Sequence, residues 1–283
     1  MKQTLLLIAT GICGLAMSSH AALIAHYKFD ELTGTSAVDE LGGTSGVIGS
    51  SVTIGQTGKA GGAYLFPDLA TTAGIVDMGN ASFFSGAGGL NSSTQVTYSL
   101  WMSSTDSDTN RNTILYSGSD TVANTYQDIG MSGETNATIN TVDGAASARN
   151  RPAGAVIAQQ TGIFSSPTVI HDGNWHHLAL TVDLSTSTMI LYVDGVASAT
   201  QNFAAGTVLF PVFNNFEIGR LGRQGSPTDA FGGLVDDVQV YNTALNSTDV
   251  QYLFNNPGVA VPEPGVFGLA GLGLLVLTFR RRA

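Results

Sequence analysis

In the stretch TQVTYSLWMS, residues 94–103, Val96, Tyr98, Leu100 and Met102 alternate with Gln95, Thr97, Ser99 and Trp101. A period of two puts each set on its own side of an extended strand, so one face is apolar and the other mixed. LIAHYKF (23–29), HHLALTVD (176–183) and TMILYVDG (188–195) are also β-rich, and helical periodicity is nearly absent between the chain's two ends. Turn signals separate these runs: Asp172-Gly173-Asn174, Val193-Asp194-Gly195 and many Gly and Ser clusters. Short strands divided by such turns predict an all-β sandwich or jelly roll. One helical pattern stands out, ALNSTDVQYLF, with Asn246 placed as N-cap, Asp249 in the first turn, and Val250, Leu253 and Phe254 at core spacing. A short helix packed on the sandwich would close the domain, and SSTDSDTN (103–110) reads as a solvated loop.

The ends have a different character. Lys2, an apolar stretch from Leu5 to Met17, and Ser19 and Ala21 at the small positions predict a secretory signal peptide over residues 1–21. Cys13, the one cysteine, leaves with it, so neither disulfides, thiolate ligands nor a Cys nucleophile are available to the remaining chain. Residues 22–256 form a body long enough to be held by its own core. That body carries 7 Lys and Arg against 20 Asp and Glu. Such a surface repels phosphate backbones, which disfavours nucleic acid as a partner, and is compatible with neutral glycans or bound Ca²⁺.

Residues 257–283 read as a linker followed by a tail. Gly265 to Phe279 are uncharged. Those residues would span roughly 22 Å as a helix against a hydrocarbon core of about 30 Å, a marginal membrane segment. Arg280, Arg281 and Arg282 would stay on the cytoplasmic side, which places the main domain outside, in agreement with the signal peptide. Pro262, Glu263 and Pro264, then a short Gly/Leu-rich helix, then an Arg cluster at the terminus make this tail resemble a PEP-CTERM sorting signal. The resemblance implies recognition by a membrane exosortase, processing near the Pro-Glu-Pro motif, and a Gram-negative bacterium that makes extracellular polysaccharide. The inner membrane would be a transient anchor, and the cell surface or extracellular matrix the destination.

The central blocks resemble the LamG-like branch of the concanavalin A-like jelly rolls. Tyr27, Phe29, Asp30, Gly34 and Asp39 match that family's opening strand and turn. Trp175, His176, His177, Tyr192, Asp194 and Gly195 match its central hairpin. Gly219, Gly233, Asp236, Asp237, Tyr241, Leu245 and Leu253 match its closing strands and helix. The match is weaker between Ser103 and Pro167, where loops able to contact a ligand would lie.

Few residues point to chemistry. His176 and His177 are adjacent, so on a strand they face opposite ways and cannot readily share a metal; one is expected to pack and the other to meet solvent. Trp175 is expected as a core anchor. Trp101 lies on the polar phase of its strand, which makes it the candidate for stacking on a sugar ring, with packing at the sheet boundary the alternative. Asp236 and Asp237 are adjacent, so one is expected to face the interior, where a carboxylate must be neutralised. Ca²⁺ bound by Asp236 with Asp30 would do this and tie the chain ends together, as related jelly rolls often do; hydrogen bonds from backbone amides would serve instead. A glycoside hydrolase needs two facing carboxylates, and Glu31, Glu40, Glu134 and Glu217 form no such pattern. The expected function is non-catalytic binding of extracellular polysaccharide or a surface protein. A structural biofilm or matrix role without a discrete site, and a polysaccharide-degrading enzyme, are the alternatives.

Overall fold

The computed structural model describes residues 22–262, apart from 87, 108–110, 133–141, 152–160, 204–211 and 225–226. The expected signal peptide, the membrane segment and the arginine cluster lie outside the described residues, as do Glu263 and Pro264. The strands form two antiparallel sheets stacked face to face. The first runs β14 (Val196–Asn202), β13 (Thr188–Val193), β12 (His176–Asp183), β7 (Gln95–Ser103), β16 (Gly232–Tyr241), β5 (Gly62–Pro67), β4 (Thr53–Thr57). β1 (Leu23–Tyr27) pairs with the C-terminal half of β16, so the two ends of the domain meet on one strand. The second sheet runs β11 (Thr161–Val169), β10 (Ala145–Arg151), β9 (Tyr126–Met131), β8 (Asn112–Gly118), β15 (Asn215–Ile218), β6 (Val76–Gly79), β3 (Gly46–Ile48), β2 (Ser36–Ala37).

The alternation in β7 does what its period requires. Val96, Tyr98, Leu100 and Met102 point between the sheets, meeting Leu178, Leu180, Leu191, Phe216, Ile218 and Ile129 in one continuous core. Facing rings fill its centre; Phe83 and Phe216 meet edge to face with centroids 5.1 Å apart. The other phase of β7 is buried as well, for a different reason. Helix α1 (Ser247–Asn255) lies across the outer face of the first sheet, and its Val250 and Leu253 pack with Leu245 on Ala179, Tyr192 and Tyr241. Asn246 caps the helix as expected: its side chain accepts from the amides of Thr248 and Asp249, while Asp249 reaches back to the Asn246 amide.

Two features differ from expectation. Asp236 and Asp237 both lie on the outer face, because β16 bulges there: Asp236 pairs with Trp101 and Gln239 with Ser99, leaving Asp237 as the extra residue, with φ of 51°. The bulge restores the phase, so that Val235, Val238 and Val240 all reach the core. The second is the segment after the helix, expected to be a linker. The Gly258 amide donates to Asp237 Oδ2 at 2.7 Å, the Val261 amide to Tyr241 Oη at 3.1 Å, and Val261 packs against the cluster beneath the helix. Its own apolar side chain and two amides find partners on the bulged strand, so the folded body continues to Val261.

Candidate functional site

Trp101 is not a sugar platform. It is 1% exposed, because Phe254 of α1 stacks on its ring with centroids 5.6 Å apart, His177 flanks it at 5.2 Å and the Lys59 ammonium sits 4.5 Å above it. The polar phase of β7 signalled a helix-covered face, not an open one. His177 shares that face: its Nε2 and Ser99 Oγ are 2.8 Å apart, and burial drives its pKa down to about 4 despite Asp237 and Asp194 nearby. His176 points the other way and is half-buried between Asp194 and Asp172; its hydrogen bond with Asp194, opposed by partial burial, raises its pKa. The two histidines therefore face opposite ways, as their adjacency requires. Trp175 is half-exposed instead of anchoring the core, since it sits at the turn ahead of β12.

Asp30 and Asp236 come together at one turn. Gly58 to Gly62 link β4 to β5; there Asp236 Oδ2 accepts from the Ala60 amide at 2.8 Å and Asp30 Oδ1 from the Gly62 amide at 2.5 Å. Gly58 is held against Asp236: a Cβ there would lie 2.6 Å from Asp236 Oδ2. Asp236 is fully buried, and its Oδ1 has no hydrogen-bond partner among the described residues. Burial raises its pKa to about 7, with Asp237 and Asp30 adding to the effect and the backbone amides of Ala60 and Lys59 opposing it. A buried acceptor-only oxygen beside a second carboxylate suits a hard cation, which would also draw on main-chain carbonyls. Among the described residues, no group of three or more His, Cys, Asp or Glu side chains that could hold a metal ion is present.

The outer face of the second sheet carries polar chemistry of another kind. All five arginines of residues 22–256 are Arg111, Arg149, Arg151, Arg220 and Arg223, whereas both lysines, Lys28 and Lys59, lie elsewhere. Strand register builds a row on this face: Asp77 on β6, Glu217 on β15, Tyr116 on β8, Asp128 on β9 and Arg149 on β10 are successive cross-strand neighbours. Asp128 is fully buried and takes Arg111 Nη2 on one oxygen at 2.5 Å and Arg149 Nε on the other at 2.9 Å. Burial works against the charge of Arg149, but Asp128 overcomes it and holds the guanidinium above its usual value. Arg149 and Arg151 both lie over the Tyr126 ring, 5.0 and 5.5 Å from its centre.

Beside that row opens a polar cleft of about 260 Å³ lined by Asp77, Asp120, Asn215, Glu217, Arg220 and Arg223. Its groups are fixed by one another. Arg220 donates to both oxygens of Glu217, at 2.7 and 2.9 Å, and to the Ala70 carbonyl, while Asn215 donates to Asp120 and Glu217. Partial burial pushes the Asp120 carboxyl up, and the Asn215 hydrogen bond opposes the shift. Glu217 and Asp128 are both engaged with guanidinium groups. The face can donate and accept hydrogen bonds at fixed positions. Sequence reasoning passed over it, although Ser147, Arg149 and Arg151 alternate with core-facing Ala146 and Ala148, and the confinement of the arginines of residues 22–256 to positions 111–223 was readable.

Similar folds occur in solved structures. Domain 4 of AbnA, a GH43 extracellular arabinanase from Geobacillus stearothermophilus solved in complex with arabinotriose, is 21% identical with a TM-score of 0.55, over 83% of this chain and 99% of that one. The binding domain of Paraclostridial Mosquitocidal Protein 1 is 15% identical with a TM-score of 0.57, over 82% of this chain and 52% of that one. The binding domain of Botulinum Neurotoxin DC, in complex with SialylT, is 12% identical with a TM-score of 0.57, over 82% and 50%. At these identities the likeness is one of fold. No curated protein matches the chain. Among the described residues no helix is long and apolar enough to cross a membrane. The PEP-CTERM protein-sorting motif matches residues 260–282, which bears out the resemblance of the tail to that sorting signal. With residues 77–251 matching the Laminin_G_3 family over two stacked antiparallel sheets, this chain belongs to the concanavalin A-like lectin/glucanases superfamily.

Proposed function

We propose that this is an exported protein, handed by an exosortase to the cell surface or extracellular matrix, whose domain binds carbohydrate without catalysis. The observation that carries this reading is the gathering of every arginine of an acidic domain on one sheet face, beside a cleft of fixed carboxylate, amide and guanidinium groups. Sugar hydroxyls are recognised by such rigid polar groups, and the acidic remainder of the surface steers other anionic partners away. A similar fold solved with arabinotriose supports the reading. Ca²⁺ held by Asp30 and Asp236 would be structural, neutralising a buried carboxylate and tying β16 to the β4–β5 turn.

Calorimetric titration of residues 22–262 with the polysaccharide exported by the source organism tests this function. Saturable heat is expected. The absence of heat from a folded sample would favour a structural matrix component instead, a reading helped by the full burial of Tyr116 and Tyr126 on the same face.

A further inference from the structure

The PEP-CTERM motif is tied to the domain that precedes it. Asp237 Oδ2 holds the Gly258 amide, and the same carboxylate is fixed through Oδ1 by His26 Nε2 at 2.6 Å and Gln239 Nε2 at 2.9 Å. Tyr241 Oη accepts from the Val261 amide and donates to Gln239 at 2.5 Å. Val259 closes a turn onto the Asn256 carbonyl at 3.1 Å, and Val261 buries part of its side chain beside Tyr241 and Leu245. Residues 256–261 are thus a strap seated on the bulge of β16, and Pro262, the first residue of the Pro-Glu-Pro triplet, follows its last anchor directly.

A protease that works on an extended segment pairs the backbone on both sides of the bond it attacks. The amides of Gly258 and Val261 cannot serve an enzyme groove while they are bonded to Asp237 and Tyr241. Reach adds a second constraint. From Val261 to Gly265, where the uncharged run begins, are four residues, at most about 14 Å of extended chain. A folded body of this length has a radius of gyration of about 18 Å, more than that tether. With the strap seated, no more than that tether separates the folded body from the start of the uncharged run, so an enzyme embedded at the membrane surface must work close against the domain.

We propose that the strap is a latch: its release from Asp237 and Tyr241 sets the rate at which the sorting enzyme gains access to Pro262-Glu263-Pro264. This rests on the exosortase reading above and concerns access alone. It requires that the seated form be a poor substrate and the released form a good one, with no change in the motif itself.

The test follows removal of the tail from the full-length chain in its native host or in membranes prepared from it, by mass. A Gly258 Cβ would lie 3.0 Å from Ala60 Cβ, and residues 22–262 contain no cysteine, so Ala60→Cys with Gly258→Cys gives one pair of thiols close enough to join; Gly258 has φ of 79°, and the backbone strain of a cysteine there is common to the oxidised and reduced forms being compared. The oxidised form is expected to lose its tail at least about tenfold more slowly than the same protein after reduction. A six-residue Gly-Ser insertion between Val261 and Pro262, which leaves the domain untouched, is expected to speed removal several-fold. Equal rates for oxidised and reduced forms, or slower removal with the insertion, would overturn the latch. Replacing Pro262, Glu263 and Pro264 together by alanine must abolish removal in every background; removal that persists there would instead sink the exosortase reading, and the latch with it.

Discussion

Trp101 stacks on Phe254 with the ring planes 21° apart, although one side chain comes from β7 and the other from the last turn of the chain's one described α-helix. That contact, with Leu253 and Val250 seated on Ala179 and Tyr241, fixes the helix across the sheet. Trp101→Ala should therefore destabilise the domain by about 3–5 kcal/mol, as large buried aromatics do when truncated. Urea unfolding measures this, and titration of the same variant should leave any glycan heat unchanged. A stable variant that had lost binding would return Trp101 to the ligand site.

Trp101 also shows how far the sequence could be read. The period of two in β7, the turns and the capped helix were legible because they depend on neighbours within a few residues. What covers a strand's second face depends on a contact about 150 residues away in the chain, and a mixed pattern reads the same whether water or a helix lies over it. The Asp236-Asp237 pair was opaque for a related reason. Strict alternation would send one inward, and only the pairing with β7 reveals the extra residue. On the second sheet, Glu217, Tyr116, Asp128 and Arg149 come from four strands, so no single stretch of chain contains the row.

His177 supplies a pH dependence. Its folded pKa of about 4 lies below the ordinary 6.5, so the unfolded chain takes up a proton before the native state does. Stability should be full above about pH 7 and fall as pH drops towards 4, by about 3 kcal/mol from this group alone. His176 works in the opposite direction: its pKa is raised, so its contribution is present below 6.5 and fades as pH rises through the shifted value. Comparing wild type with His177→Gln in urea between pH 7.5 and 4.5 isolates the first effect. The variant should show a shallower loss, and parallel curves would refute the assignment.

The polar cleft makes the binding proposal specific. Asp120 is exposed and bonds to Asn215, so Asp120→Ala should alter stability by less than about 0.5 kcal/mol while removing an acceptor from the cleft wall. We expect at least a tenfold loss of glycan affinity, about 1.4 kcal/mol, in calorimetry. A control on the other sheet, the half-buried Asp183→Ala at the end of β12, should bind as wild type does. Equal affinity for both variants would place the ligand elsewhere.

The last prediction concerns Asp236. Without a cation, the fold buries this carboxyl with Oδ1 lacking a hydrogen-bond partner among the described residues, and burial holds its pKa up to about 7. Ca²⁺ bound to the native state alone would stabilise by about 2.7 kcal/mol at a hundred times its dissociation constant. Thermal unfolding of residues 22–262 should therefore move upward with millimolar Ca²⁺ and return with chelator. Asp236→Asn is the informative variant, because a neutral amide keeps the shape and relieves the buried charge but is a poorer ligand for a hard cation. It should be no less stable than wild type in chelator and should gain little from Ca²⁺. If wild type shows no upward shift either, Asp236 is satisfied by the β4–β5 turn and a retained proton, and the join between β16 and that turn is made by the Ala60 amide without a metal.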